Sequence, residues 1–141
     1  MTDAAAPSDP TEFVRASMPL CASLGVTAAE LGPERVVLEL AWRADLCTIG
    51  DTLHGGTLMA LADSAGAVCA HFNLPEGAAG TSTIESKTNF VGAARQGNDV
   101  VATSTPLHAG RTTIVVETEV RTVDGRLVAK TTQTQSVLSA R

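Results

Sequence analysis

The chain has 141 residues, of which 44% are hydrophobic, and a formal net charge of −5 at pH 7. This length gives room for one hydrophobic core and little else. The ten Lys and Arg residues are scattered from Arg15 to Arg141 without a cluster, so no nucleic-acid partner is expected.

The N-terminal residues 1–10 are rich in Ala, Pro, Ser and Asp. They are predicted to form a mobile tail before a single domain over residues 11–141. They have neither the positive region nor the apolar region of a secretory signal. The three cysteines are not spaced as metal ligands and fit a reducing compartment. A cytoplasmic protein is therefore expected.

The first predicted elements are a short helix that Thr11 caps and Pro19 ends, and a strand over Val36–Trp42. A long helix is predicted next, from Gly56 to Phe72. It is apolar on nearly all sides, which is typical of a buried helix. Asp63 interrupts the apolar run, which is too short for the roughly 20 apolar residues of a membrane span. We predict a core helix and no membrane partner.

Four more strands are predicted after this helix. In the third, apolar and polar residues alternate, which indicates one buried face and one solvated face. A five-stranded antiparallel sheet would leave open edges, and pairing an edge with a second copy is a common remedy, so a homo-oligomer is expected. The predicted strands are Thr81–Val91, Val100–His108, Thr112–Val123 and Leu127–Leu138.

The residues that could take part in catalysis lie at the start of the long helix and in its first turns. A lone buried carboxylate costs several kcal/mol unless it is paired, so Asp63 is interpreted as a catalytic acid or base. The free N–H groups of Gly55 and Gly56 at the helix start suit a developing oxyanion. His54 has two functional interpretations, polarising a carbonyl or lining the entrance. The alternatives are structural: a hydrogen-bonded Asp63, a tight turn at the glycines, and a His54 that fixes the loop.

The segment His54–Gly66, with the sequence HGGTLMALADSAG, resembles the hotdog-fold acyl-CoA thioesterases of the PaaI type. These enzymes are relatives of one class of 4-hydroxybenzoyl-CoA thioesterase. The likeness continues through Ser86–Val91, Gly110-Arg111 and Asp124–Ala129. It implies an α+β fold, with a single hotdog domain in which a curved antiparallel sheet wraps a long central helix. It also implies hydrolysis of an acyl-CoA without a cofactor, with Asp63 as general base or nucleophile.

The spacing of Gly55 and Asp63 adds an expectation about assembly. Eight residues at about 1.5 Å each separate them by roughly 12 Å along one helix axis, so one thioester carbonyl cannot touch both. If both act, they come from different subunits, with two antiparallel helices across a two-fold axis. A dimer, or a dimer of dimers, with composite sites is therefore predicted.

Other positions are assigned by the resemblance. Thr48 stands where related enzymes often carry Asn or Gln, and it is retained as a catalytic candidate. A hydroxyl among Thr81, Ser82 and Thr83 is expected near the attacking water. The remaining substrate-binding candidates are Asn89 and two residues that suit CoA phosphates, namely Arg95 and Arg111.

Two further classes of protein are weighed against the thioesterase. The departure at Thr48 leaves open a non-catalytic acyl-CoA-binding hotdog protein. A hotdog hydratase or dehydratase is disfavoured because no His and Asp/Glu pair has the required spacing. No metal site is expected, because His54, Asp63 and His71 are eight or nine residues apart and do not share one helix turn.

Overall fold

A computed structural model describes residues 7–141 of the chain as three α-helices, one short 3₁₀ turn and six strands. The helices are α1 (Pro10–Ser17), α2 (Pro19–Leu24) and α3 (Gly55–Phe72), and the 3₁₀ turn is Ala44–Leu46. The strands are β1 (Thr27–Leu31), β2 (Val36–Leu40), β3 (Ala78–Phe90), β4 (Val100–Ala109), β5 (Thr113–Thr122) and β6 (Leu127–Ser139).

The six strands form one antiparallel sheet in the order β1-β2-β4-β5-β6-β3, and α3 packs against five of them. The sheet therefore wraps the long helix on one side, which confirms the predicted α+β architecture with a central helix. Among residues 7–141, no helix has the length and hydropathy needed to span a membrane.

The side of the sheet that faces α3 is called the inner face, and the opposite side the outer face. On β5 the inner face carries Ile114, Val116, Thr118 and Val120, all fully buried, as the predicted alternation required. The outer face carries the residues between them. Helix α3 meets the inner face with Leu58, Leu61, Ala62, Ala65 and Val68, which form the centre of the core with Val36, Leu38, Leu40, Val100, Ala102 and Val128.

The sheet has six strands rather than five, because β1 was not predicted. Its sequence, TAAEL, contains no Val, Ile or aromatic residue and has weak strand propensity. Pairing with β2 and packing of α1 hold it in place. Pro19 does more than end the first helix, since it opens α2 at a position that favours proline.

Helix α1 begins at Pro10, one residue before the predicted boundary between tail and domain. The side chain of Asp9 caps this helix by accepting a hydrogen bond from the Glu12 N–H at 3.0 Å. Residues 1–6 of the tail lie outside the described part of the chain.

The two edges of the sheet differ. At the β1 edge, α1 covers the strand, and the Ala28 N–H donates to Thr11 Oγ1 at 3.0 Å. Nearby, Arg15 Nε donates to the Val26 carbonyl at 2.8 Å. At the other edge, β3 is 13 residues long and pairs with β6 alone among residues 7–141. Ile84 on this edge strand is 66% exposed.

Candidate active site

Backbone hydrogen bonds fix the start of α3. The Leu53 N–H donates to the Ala94 carbonyl, and the His54 N–H donates to the Leu46 carbonyl, each at 2.9 Å. A bridge between Cys47 and Leu53 closes the preceding loop. The helix start is therefore anchored on two sides, so its free N–H groups keep a defined direction.

Thr48 lies in that loop and is exposed. Its N–H donates to the Thr52 carbonyl at 2.8 Å. The loop turns through Gly50 and Asp51, whose φ angles are 76° and 54°. Among residues 7–141, no side-chain hydrogen bond connects Thr48 to the residues of the helix start, so its predicted catalytic role stays a prediction.

His54 caps α3. Its Nδ1 accepts a hydrogen bond from the Gly56 N–H at 2.8 Å, so in this arrangement the imidazole is neutral and carries its proton on Nε2. Of the two N–H groups predicted as oxyanion donors, that of Gly56 is thus occupied. The Gly55 N–H has no acceptor among residues 7–141 and is the donor available at the helix start.

Glycine at position 55 also makes room for an aromatic ring. A Cβ on Gly55 would lie 3.2 Å from Cζ of Phe90, the last residue of β3. That is tighter than ordinary van der Waals contact. The Phe90 ring, which is 50% exposed, therefore rests on the helix start and forms an apolar wall beside the Gly55 N–H.

Asp63 is not the lone buried carboxylate that the sequence predicted. It is half-buried, and the sheet supplies two donors to one of its oxygens. Thr83 Oγ1 and Gln133 Nε2 each donate to Asp63 Oδ1 at 3.0 Å. Among residues 7–141, nothing donates to the other oxygen, Oδ2. Two donors on one oxygen suit an ionised carboxylate, which is an acceptor only.

Thr83 is linked in turn to Gln135. Gln135 Nε2 donates to Thr83 Oγ1 at 2.6 Å. Because an amide nitrogen can only donate, the single hydroxyl proton of Thr83 points to Asp63. Of the three hydroxyl candidates, Thr83 contacts the carboxylate. Ser82 points to the outer face because neighbouring residues of a strand alternate, and Thr81 shares the inner face one pair away from Thr83.

The sequence did not single out Gln133 and Gln135, which are buried with 0% and 1% exposure. In β6, polar residues occupy every position from 130 to 136, a composition that suits a solvated strand. One signal was present: Gln133 and Gln135 lie four and six residues after Ala129, which is buried. Strand periodicity places all three on one face.

The remaining substrate-binding candidates are not brought together in one chain. Asn89 lies on the outer face, where it pairs with Lys130 and accepts a hydrogen bond from Lys87 Nζ at 2.8 Å. Arg95 follows Ala94, whose carbonyl accepts a hydrogen bond from Leu53 just before α3. Arg111 comes after the C-terminal end of β4, whereas Arg95 comes before its N-terminal end. The ten residues of β4 separate its two ends by about 30 Å. Their predicted contacts with substrate stay predictions.

The cysteines do not offer a nucleophile at neutral pH. Burial raises the pKa of Cys69 to about 12. Burial also raises the pKa of Cys21; its hydrogen bond with Ser64 opposes this shift, and the charge of Asp63 adds to it. Within the described residues, no three His, Cys, Asp or Glu side chains are close enough to hold a metal ion.

A long helix wrapped by a six-stranded antiparallel sheet is the arrangement of the hotdog fold. The chain belongs to the Thioesterase superfamily, which it matches over residues 50–129. This result confirms the family that the sequence resemblance indicated.

Individual relatives support this assignment. A Deinococcus radiodurans protein named "Putative esterase" is 34% identical over 98 residues, which cover 70% of this chain and 64% of that protein. The chain thus spans less than two thirds of that relative. A variant of the phenylacetic acid degradation protein PaaI from Thermus thermophilus is 30% identical, with a TM-score of 0.77 and coverage of 85% of this chain and 99% of the other. A Mycobacterium tuberculosis protein described as "a putative esterase" is 27% identical, with a TM-score of 0.83 and coverage of 88% of this chain and 99% of the other.

Proposed function

We propose that the protein hydrolyses acyl-CoA thioesters to a free acid and CoA. The observation that supports this best is the state of Asp63, whose Oδ1 is held by two donors while Oδ2 has no partner in the described chain. A free carboxylate oxygen beside a thioester can accept a proton from water or attack the carbonyl itself.

The general-base route has a simple balance. Asp63 Oδ2 takes a proton from water as the water oxygen bonds to the thioester carbonyl carbon. The carbonyl oxygen gains negative charge and accepts a hydrogen bond from the Gly55 N–H, where the helix dipole is favourable. Collapse of this intermediate breaks the carbon–sulfur bond and releases the CoA thiolate, which takes up a proton.

The site needs two chains, because roughly 12 Å of helix separate Gly55 from Asp63. In an antiparallel pair of α3 helices, Gly55 of one chain meets Asp63 of its partner only if the two-fold axis passes midway, near Met59. Met59 is a large apolar residue of α3 left 38% exposed. Its half-buried neighbour Ala60 is small enough to let a second helix approach.

The edge strand β3 supports the same two-fold axis. Thr83 lies beside Asp63, and Phe90 lies beside Gly55. The midpoint between these two levels falls at Ser86 and Lys87. Antiparallel pairing of two β3 edges about that point would join the sheets of two subunits and place their α3 helices side by side.

The first test is thiol release from short, medium and aromatic acyl-CoA thioesters. Asp63→Asn should lower turnover by at least about 100-fold while binding of acyl-CoA and the oligomeric state are retained. Asp9→Asn is a matched control, because Asn caps α1 as well as Asp does. Binding of acyl-CoA without thiol release by the wild-type protein would instead favour the non-catalytic binding protein.

Mixing two inactive variants tests whether the sites are composite. Gly55→Pro removes the proposed oxyanion donor at the first helical position, where the helix backbone tolerates proline. The proline Cβ would lie 3.2 Å from Phe90 Cζ, so the half-exposed Phe90 ring has to shift slightly. His54, with φ −61° and ψ 137°, already has the conformation that a following proline requires.

A heterodimer of Asp63→Asn and Gly55→Pro chains would keep one intact composite site, with Asp63 from one chain and Gly55 from the other. Equal mixing after unfolding and refolding should therefore restore about a quarter of the wild-type activity, because half of the dimers carry one working site out of two. If each site lies within one chain, no activity returns.

A further inference from the structure

Gln133 is an unusual residue for the centre of a sheet. Its side chain is fully buried, and its Nε2 reaches both Asp63 Oδ1 at 3.0 Å and the Asp63 carbonyl at 3.4 Å. Its Oε1 has no hydrogen-bond partner in the described chain. A buried acceptor without a partner is unfavourable, so a compensating role is expected.

Gly66 makes room for this amide. A Cβ at Gly66 would lie only 1.9 Å from Gln133 Oε1 and 2.5 Å from its Cδ. Gly66 is about one turn after Asp63 in α3, and glycine within a helix is less favourable than alanine. Two unfavourable features, a glycine inside the helix and an unpaired amide oxygen, are thus found where Gln133 donates its hydrogen bond to the Asp63 carboxylate.

Gln135 repeats the pattern through Thr83. It is also buried, its Oε1 is also unpaired, and its Nε2 determines where the Thr83 proton goes. Both amides therefore direct donors to the same atom, Asp63 Oδ1. Neither amide contacts Oδ2.

We propose that Gln133, which packs against Gly66, is a positioning residue that holds Asp63 Oδ1 so that Oδ2 is the oxygen that reacts. Gln135 helps to hold the same oxygen through the hydroxyl of Thr83. This inference rests on the proposed thioesterase function. Gln133 does not touch substrate in this scheme. It fixes the rotation of the carboxylate by donating to Oδ1, which leaves Oδ2 free to face the reacting water.

The decisive variant is Gln133→Met, which keeps the length of the side chain and removes the donor. It should lower kcat by about 10- to 100-fold, since a small displacement of a catalytic group is costly, and should change KM by less than about 3-fold. Gln96→Met, at an exposed position, is the matched control.

Activity per folded protein separates positioning from a loss of folding. Circular dichroism gives the folded fraction of each preparation, and a variant that only unfolds would keep the wild-type kcat once the rate is divided by that fraction. Gly66→Ala, which displaces the amide without removing it, should also lower kcat per folded protein.

Each outcome has one meaning. If the wild-type protein turns over a thioester and Gln133→Met keeps its kcat per folded protein, the positioning role is overturned and the proposed function stands. If the wild-type protein releases no thiol from any thioester, the proposed function itself fails. A folded Gln133→Met protein with reduced kcat and a KM within about 3-fold of the wild-type value supports the proposal.

Discussion

Replacing Gly66 by alanine should destabilise the protein, although alanine is the better helix former. The substitution favours α3 by about 1 kcal/mol. Against this, the new Cβ would lie 1.9 Å from Gln133 Oε1, and the buried amide has to move. Overpacking of a core costs about 1–3 kcal/mol, and loss of a hydrogen bond to a charged group costs about 1.5–3 kcal/mol. The expected net loss is about 1.5–5 kcal/mol.

Urea denaturation at one fixed protein concentration measures this loss, because association shifts apparent stability. Thermal melting should show a fall in Tm of at least about 5 °C. Gly80→Ala is the control, since a Cβ there meets nothing within 4 Å, and it should stay within about 0.5 kcal/mol of the wild type.

A double variant isolates the contact. Once Gln133→Ala removes the amide, Gly66→Ala should no longer destabilise, which gives a coupling free energy of at least about 1 kcal/mol between the two sites. A Gly66→Ala protein as stable as the wild type would refute the reasoning. So would strictly additive effects in the double variant.

Three further results are expected. His54→Ala should lower the free energy of unfolding by about 1 kcal/mol, because the Gly56 N–H loses its cap; an unchanged urea midpoint would contradict this. Because burial raises the pKa of Cys69 to about 12, only about one molecule in ten thousand holds the thiolate at about pH 8. Mass spectrometry should therefore find Cys69 alkylated only after unfolding, and rapid alkylation in the folded protein would refute its burial. A hydrogen bond from Thr122 lowers the pKa of Asp124 from its ordinary 3.8, so its stabilisation is present above that value and lost as pH falls through the folded pKa. Thr122→Val should then reduce the free energy of unfolding more at about pH 6 than at about pH 2.5, and equal losses would show that the carboxylate is not involved.

The sequence was sufficient for the elements whose local signals agree with their packing. The apolar run of α3 and the alternation of β5 are strong periodic patterns, and both elements lie within about two residues of their predicted bounds. It was insufficient for β1, whose residues favour no strand and are held there by β2 and α1. Pairing of this kind is a tertiary effect and leaves no local pattern.

For the candidate site too, the sequence was sufficient for some residues and insufficient for others. Gly55 and Asp63 are visible in the sequence because the helix gives their spacing, and the distance argument needs only helix geometry. The donors to Asp63 come from β3 and β6, about 20 and 70 residues away along the chain. Gln133 is adjacent to the carboxylate only because the sheet register places it under Gly66. No local pattern in β6 specifies that register.

The unequal edges of the sheet determine how far an assembly of this chain can grow. Helix α1 caps the β1 edge through Thr11, whereas the edge of β3 carries free backbone groups. A pair joined through two β3 edges would present only capped β1 edges at its ends, so no third sheet could add to it. Helix α1 thus blocks further strand pairing at the β1 edge. Pairing through β3 would therefore give a closed dimer rather than a fibre.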